Sequence, residues 1–349
     1  MKRTVAVIIL IYAIIYSVYP NQSKIQINEQ SKAKESVANI KLSYQNGKVI
    51  LDNFKEDDDE RFWGTLNNLR YMVYKNINDY IYVNGEFYPV NGEWNNGKFY
   101  LPEKSVTELF SLEGKRGQYH STNKIVVNGI CQNINQNANK KTVLNVLNNP
   151  SIPIEHAKIT KQEGQLPGAS REYRNGKHEG FDWYAGAIGI EITRKTLVHP
   201  IFDGRIVRID KDFTELKPTY RQKLLNQASK EKNTSQETLD KLRGRQVWIQ
   251  SDNGILVHYA HLSSVNEDLN VGDKVTETDW IAHVGNSGTS NGALGTDDDL
   301  HLHSDILVCG KNFWEYGELN DMNNSVIAIF DKVSKNKTLS QERMKNNTE

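Results

Sequence analysis

The sequence predicts a mainly β protein: an antiparallel β-sheet domain with a helical insertion, preceded by a small β-rich domain. Three observations predict it. Short apolar runs recur along the chain between Asn-Gly pairs and other turn signals. In the second half, one segment between two such runs has helical spacing instead. Two Asn- and Lys-rich stretches, before residue 40 and around residues 133–150, divide the chain as linkers do. The 349 residues are enough for two domains plus connecting segments.

Lys2 and Arg3 precede Val5 to Tyr19, a run that is apolar or aromatic apart from Ser17. Residues 1–20 therefore read as a signal anchor or signal peptide. The run ends Ser17-Val18-Tyr19-Pro20, without the small-residue site a signal peptidase needs, which favours an uncleaved anchor. At 1.5 Å per residue it spans only roughly 24 Å of a ~30 Å hydrocarbon core, so a cleaved signal and a secreted protein stay as the alternative. In either case the rest of the chain is expected outside the cytoplasm. Residues 21–39 read as a polar stalk.

Lysine plus arginine number 43, as do aspartate plus glutamate, so the formal charge is zero and no field gathers nucleic acid. Only two cysteines occur, Cys131 and Cys309, too few for a disulfide scaffold. An exported protein permits their pairing, but two separate buried thiols are expected.

Residues 40–135 read as a small β-rich spacer or binding domain, from runs such as Ile81 to Val83 before Asn84-Gly85, Phe87 to Val90 before Asn91-Gly92, and Phe99 to Pro102 after Asn96-Gly97. Residues 80–110 weakly resemble copper amine oxidase N-terminal-like repeats of exported bacterial proteins, a resemblance that implies no copper chemistry. Residues 136–152 form a linker ending near Asn149-Pro150. In residues 153–312, strands are expected at Ile152 to Ile154, Ala187 to Ile192, Arg205 to Ile209, Val247 to Gln250, Ile255 to Tyr259, Trp280 to Val284 and His301 to Val308. The insertion, about residues 210–245, reads as two helices, Pro218 to Lys232 and Thr234 to Arg243, with Thr234 and Glu237 at capping-box spacing. Residues 313–349 read as a C-terminal helix around Val326 to Phe330 and a polar tail.

Five residues, His178, Asp182, His261, His301 and His303, stand out by spacing. His301 and His303 are i,i+2 on an expected strand, so their imidazoles share a face. The same logic places Tyr259 with His261 on one face and leaves His258 on the other as a structural residue. His178 and Asp182 lie across Gly180, in a segment that reads as turning and extended, with the glycine permitting close backbone approach. A catalytic zinc takes three protein ligands and leaves a position for water. His178, Asp182 and one histidine of the pair satisfy that count.

In their order HEGFD (178–182), YAHL (259–262), GNSGTSNG (285–292) and HLH (301–303), these segments resemble the lysostaphin-like, LytM-type zinc metalloendopeptidases, exported bacterial hydrolases of the cell wall, over about residues 153–310. The resemblance implies Zn²⁺ bound by His178, Asp182 and His303. It implies His261 and His301 as the catalytic pair, one a base and the other an oxyanion donor, with Tyr259 a possible contact to the oxyanion or substrate. It also implies peptidoglycan peptides as substrate, in the stem or the cross-bridge. A non-catalytic zinc-binding scaffold or activator of other wall enzymes is the alternative.

Two stretches depart from that pattern. The helical insertion is expected to be surface elaboration. ALGTDDDL (293–300) is expected to end in a solvated turn at Asp297 to Asp299. The glycine-rich run is expected to make tight turns below the groove, where a substrate backbone lies close. His120, His156, His199, His258 and His283 are not expected to bind metal, and Cys309 is assigned to the core.

Overall fold

Asn-Gly pairs set the upstream hairpins. Asn46-Gly47, Asn84-Gly85 and Asn96-Gly97 all have positive φ, the backbone a two-residue hairpin turn requires. They join Ser43–Gln45 to Lys48–Leu51, Tyr80–Val83 to Glu86–Pro89, and Glu93–Asn95 to Lys98–Pro102. Asn67-Asn68 turns the same way between Arg61–Leu66 and Leu69–Tyr74. Asn91-Gly92 does not. Gly92 instead crosses between sheets, its N–H donating to the Asn78 carbonyl (2.9 Å), and a Cβ there would meet the Phe99 ring. The result is a four-stranded and a five-stranded antiparallel sheet.

The computed structural model describes residues 40–56, 61–115, 118–122, 131, 134 and 139–346, with side chains to residue 335. The expected anchor and stalk lie outside the described residues. Among the described residues no helix is long and apolar enough to cross a membrane.

The second half is built on a seven-stranded antiparallel sheet in the order Phe181–Tyr184, His301–Val308, Ile255–Ala260, Val247–Gln250, Gly204–Ile209, Lys274–Val275, with Lys311–Asn312 pairing beside His301–Val308. His301–Val308 is buried along its whole length because it is covered on both faces. Leu302, Ile306 and Val308 enter the main core, where Met322, Val326 and Phe330 of the Leu319–Asn346 helix join them. On the opposite face, Leu307, Leu256 and Trp248 pack with Val207 against Trp63, Met72, Tyr74, Tyr82 and Phe87 of the upstream sheets. The upstream sheets therefore cover one end of that face and leave the end bearing His301 and His303 open to the groove.

Several expectations change. The upstream region has a core of its own yet falls in one compact unit with the rest, and Arg61 forms a bidentate pair with Glu315 (3.0 and 2.8 Å). The expected linker contains a helix, Lys140–Val146, capped by Asn139 and anchored by Val143 and Leu147 in the main core. Ile152 to Ile154 is not a strand. Ala187 to Ile192 begins inside a helical turn, Ala185–Ile188, that Gly189 ends with φ 80°. Trp280 to Val284 shrinks to Ala282–His283. Cys131 and Cys309 are not separate thiols but a disulfide, with Cα atoms 5.4 Å apart. Their separation of 178 residues hid the pairing. By loop-closure entropy such a cross-link removes roughly 5 kcal/mol of freedom from the unfolded chain.

Candidate active site

Strand register decides which side chains meet. Asp182 lies opposite His303, Tyr184 opposite His301, His303 opposite Ala260, and Asp305 opposite His258. Side chains directly opposite share a face, so Asp182, His301, His303, Asp305 and His258 all face one side. Gly180 makes this possible. A Cβ there would lie 2.1 Å from the Ser304 carbonyl oxygen, so only glycine lets the His178 segment sit on the strand.

Tyr259 faces the other way. Its neighbour across the sheet is Ser304, its hydroxyl accepts from the Ile201 N–H (2.6 Å), and it belongs to the main core. The expected contact between Tyr259 and substrate is thus corrected. The expectation failed because the strand ends at Ala260 and His261 has φ 60°, which breaks the alternation and turns its imidazole to the site side. The end of the insertion fixes that turn: His261 N–H donates to the Arg243 carbonyl (2.9 Å) and Leu262 N–H to the Arg245 carbonyl (3.2 Å).

His178, Asp182 and His303 are buried, and one ligand atom from each lies within 4.8 Å of the others. Asp182 Oδ1 is 3.0 Å from His178 Nε2 and 2.8 Å from His303 Nδ1, and those two nitrogens are 3.0 Å apart. The remaining ring nitrogens are already engaged. His178 Nδ1–H donates to the Leu166 carbonyl (3.0 Å) and His303 Nε2–H to Asp305 Oδ1 (2.5 Å). This fixes the tautomers that direct His178 Nε2 and His303 Nδ1 inward, the outer-shell arrangement metal-ligating histidines adopt. Two imidazole nitrogens and a carboxylate with an open side fit a catalytic divalent metal.

His261 and His301 stand beside this cluster with ring centroids 4.8 Å apart. Their Nδ1–H groups donate to backbone carbonyls, of Ser287 (2.8 Å) and Asp299 (2.7 Å), leaving Nε2 of each as the acceptor. The Tyr184 ring stacks on His301 at 4.1 Å. Burial, then the charges of His301 and His303, holds His261 well below the usual imidazole range. Burial also lowers His301, against the opposing pull of Asp182. Both are therefore neutral bases at physiological pH. Asp182 is pressed upward by burial, but the charge and hydrogen bond of His178, with His303 and His301, hold it well below the usual carboxylate range. Burial opposes protonation of His303 too, yet Asp305 and Asp182 raise it to about 9.

Three contributors carry no sequence motif. Asp305 orients His303 and is held by Arg243 Nε (2.9 Å) and by His258 Nδ1–H (3.2 Å). Its spacing, i+2 from His303, is the signal that points to it. Arg243 comes from the insertion and Arg171, which donates to Asp182 Oδ2 (3.2 Å), from the Ser170–Arg171 strand; neither has a sequence signal.

The insertion is more than surface elaboration. Its helices are Pro218–Ala228 and Gln236–Leu242, and Arg221, Leu225, Leu239, Leu242 and Arg243 line a groove of about 590 Å³ over the site. The second helix is capped by Ser235, not Thr234, whose hydroxyl donates to the Arg174 carbonyl. The glycine-rich run also differs in role. A Cβ on Gly288 would lie 2.4 Å from the Leu242 carbonyl oxygen, so this glycine admits the insertion rather than a substrate. In the 293–300 stretch, Asp297 pairs with Arg194 (2.6 Å) and Asp299 takes the Asn291 amide.

Residues 227–313 match the family model described as Peptidase family M23. The match contains His261, His301 and His303, while the structure adds His178 and Asp182 from upstream. Within the domain on the seven-stranded sheet, residues 227–313 thus carry the Peptidase family M23 match, in keeping with the LytM-type motifs. No curated protein matches the chain by sequence. Among solved structures, a mutant catalytic domain of the prophage-encoded M23 protein EnpA from Enterococcus faecalis is 16% identical, over 47% of this chain and 92% of that one, at TM-score 0.29. LytU is 23% identical, over 46% and 80%, at 0.28. The catalytic domain of the antimicrobial peptidase lysostaphin from Staphylococcus simulans is 19% identical, over 49% and 89%, at 0.25.

Proposed function

We propose that the protein is a zinc-dependent endopeptidase that hydrolyses peptide bonds of bacterial peptidoglycan outside the cytoplasm. The observation that carries this is the convergence of His178 Nε2, Asp182 Oδ1 and His303 Nδ1 beside two neutral imidazoles whose Nε2 atoms are free to act. A zinc ion held by His178, Asp182 and His303 would supply an acidified water and polarise the scissile carbonyl. One of His261 and His301 would accept a proton from the attacking water at Nε2 and return it to the leaving amine. The other would be the oxyanion donor, a role in which its Nε2 must first gain a proton because its Nδ1–H is already committed to a backbone carbonyl. Asp305, through His303 Nε2–H, keeps the ligand oriented. The disulfide supports an oxidising compartment. A non-catalytic zinc-binding scaffold needs the three ligands but neither His261 nor His301, whose presence beside them favours catalysis.

His301→Ala is expected to keep one zinc per chain and to lose activity by about a hundred- to ten-thousandfold, the usual worth of a general acid-base group. Metal content and muropeptide release measured on the same preparation check it. Loss of zinc from this variant would place His301 among the ligands instead.

The raised pKa of His303 gives zinc binding a pH dependence. The metal requires the neutral imidazole, whereas in the metal-free chain His303 carries a proton up to about pH 9. Binding at pH 7 is therefore expected to release about one proton from His303, and the apparent affinity to rise about tenfold per pH unit toward that value. Calorimetry in buffers of different ionisation enthalpy reads the proton count directly, and a count near zero would contradict the assignment.

A further inference from the structure

Four arginines, Arg171, Arg174, Arg221 and Arg243, line the groove against three carboxylates, Glu179, Asp182 and Asp299. Three of the four are held by carboxylates: Arg174 by Glu179 (2.8 Å), Arg243 by Asp305 (2.8 Å) and Arg171 by Asp182 (3.2 Å). Arg221 is different. Its Nε donates to the Gly288 carbonyl (2.7 Å) and its Nη1 to Ser290 Oγ (2.6 Å), and among the described residues it makes no ion pair with a carboxylate. Glu215, the acid that acts on it electrostatically, spends its own oxygens on the backbone N–H groups of Gly288 and Leu216. The guanidinium is thus anchored on two acceptors, with Nη2 uncommitted among the described residues, at the wall of the groove. Burial disfavours the charge of all three arginines, and carboxylate partners outweigh it at Arg174 and Arg243 but not at Arg221, where the net direction is down.

A half-buried guanidinium with no carboxylate in direct contact is a costly arrangement unless a ligand completes it. We propose that Arg221 is a specificity-determining residue that receives a free carboxylate of the peptide substrate, selecting peptides that carry one over uncharged peptides. This rests on the peptidase reading above and narrows its substrate class. A planar fork fixed by two hydrogen bonds is pre-organised for a carboxylate. The exposed Tyr173 ring, which also lines the groove, offers an apolar face for the peptide beside it.

The test uses two synthetic stem peptides, identical except that one carries a free α-carboxylate and the other a carboxamide at that position. Binding is measured with the metal-free full chain and hydrolysis with the zinc-loaded full chain, for the wild type and for Arg221→Gln and Arg221→Lys. The wild type is expected to bind the carboxylate peptide at least about tenfold more tightly, as a desolvated charge pair should. In Arg221→Gln that preference falls to near unity while binding of the carboxamide is unchanged, and Arg221→Lys restores part of it. Equal wild-type binding of both peptides, or an equal loss of both in Arg221→Gln as expected if the arginine only ties the insertion to the Gly288 turn, overturns the proposal. A binding preference without hydrolysis of either peptide would support carboxylate recognition and tell instead against the peptidase reading.

Discussion

His303→Ala is expected to empty the metal centre and reduce peptidoglycan hydrolysis by about a thousandfold or more, because groups that act as one unit fail together. The imidazole is bound on both sides. Nδ1 meets Asp182 Oδ1 at 2.8 Å and Nε2–H meets Asp305 Oδ1 at 2.5 Å, so its removal takes away a ligand and separates the metal site from the carboxylate behind it. The variant is best compared with His301→Ala, in which the ligand set is intact. Elemental analysis of the two proteins, with thermal unfolding to confirm that both fold, should show metal absent from the first and present in the second. One metal per chain in His303→Ala would mean that another residue is the third ligand.

Arg243→Met is expected to destabilise the protein by roughly 3 to 5 kcal/mol, the cost of breaking a buried ion pair from one side. Asp305 is fully buried and Arg243 nearly so, joined at 2.8 Å, with His258 donating to the same carboxylate oxygen and stacked on Trp248 at 4.0 Å. Burial disfavours the charge of Asp305, and Arg243 first, then His303 and His258, hold it far below the usual carboxylate range. Without Arg243 a buried carboxylate keeps only histidine partners. Because Asp305 orients His303, zinc affinity should also fall about 10- to 100-fold. Lys241→Met is the control. Lys241 pairs with Glu237 at 2.7 Å on the surface, an interaction worth at most ~0.5 kcal/mol. Denaturant titration of both variants separates the two cases, and equal losses would show that the buried network carries no special weight.

The site was legible in the sequence to the extent that strand periodicity and motif order determine it. The i,i+2 spacing of His301 and His303 gives their shared face directly, and Gly180 reads correctly as a place of close backbone approach. Tyr259 was misplaced because a single left-handed residue, His261, ends the alternation, and no pattern of residue types announces that reversal. The groove wall was missed for a different reason. Helical spacing locates the insertion, but which surface it covers depends on contacts such as Gly288 against Leu242, between residues 46 positions apart. The upstream strands were read from their Asn-Gly turns. Their packing against Trp248 and Leu307 was not, since alternating apolar residues do not reveal what covers the second face. The disulfide, closing 178 residues, is invisible to any local pattern.

The most direct test of the account is the appearance of new free amino groups when purified peptidoglycan is incubated with the zinc-loaded protein. Amine release that stops on chelation and returns with added zinc, with one metal per chain, is the result predicted. A protein holding one zinc per chain that releases no amines from cross-linked peptidoglycan would contradict catalysis and leave the fold serving as a scaffold.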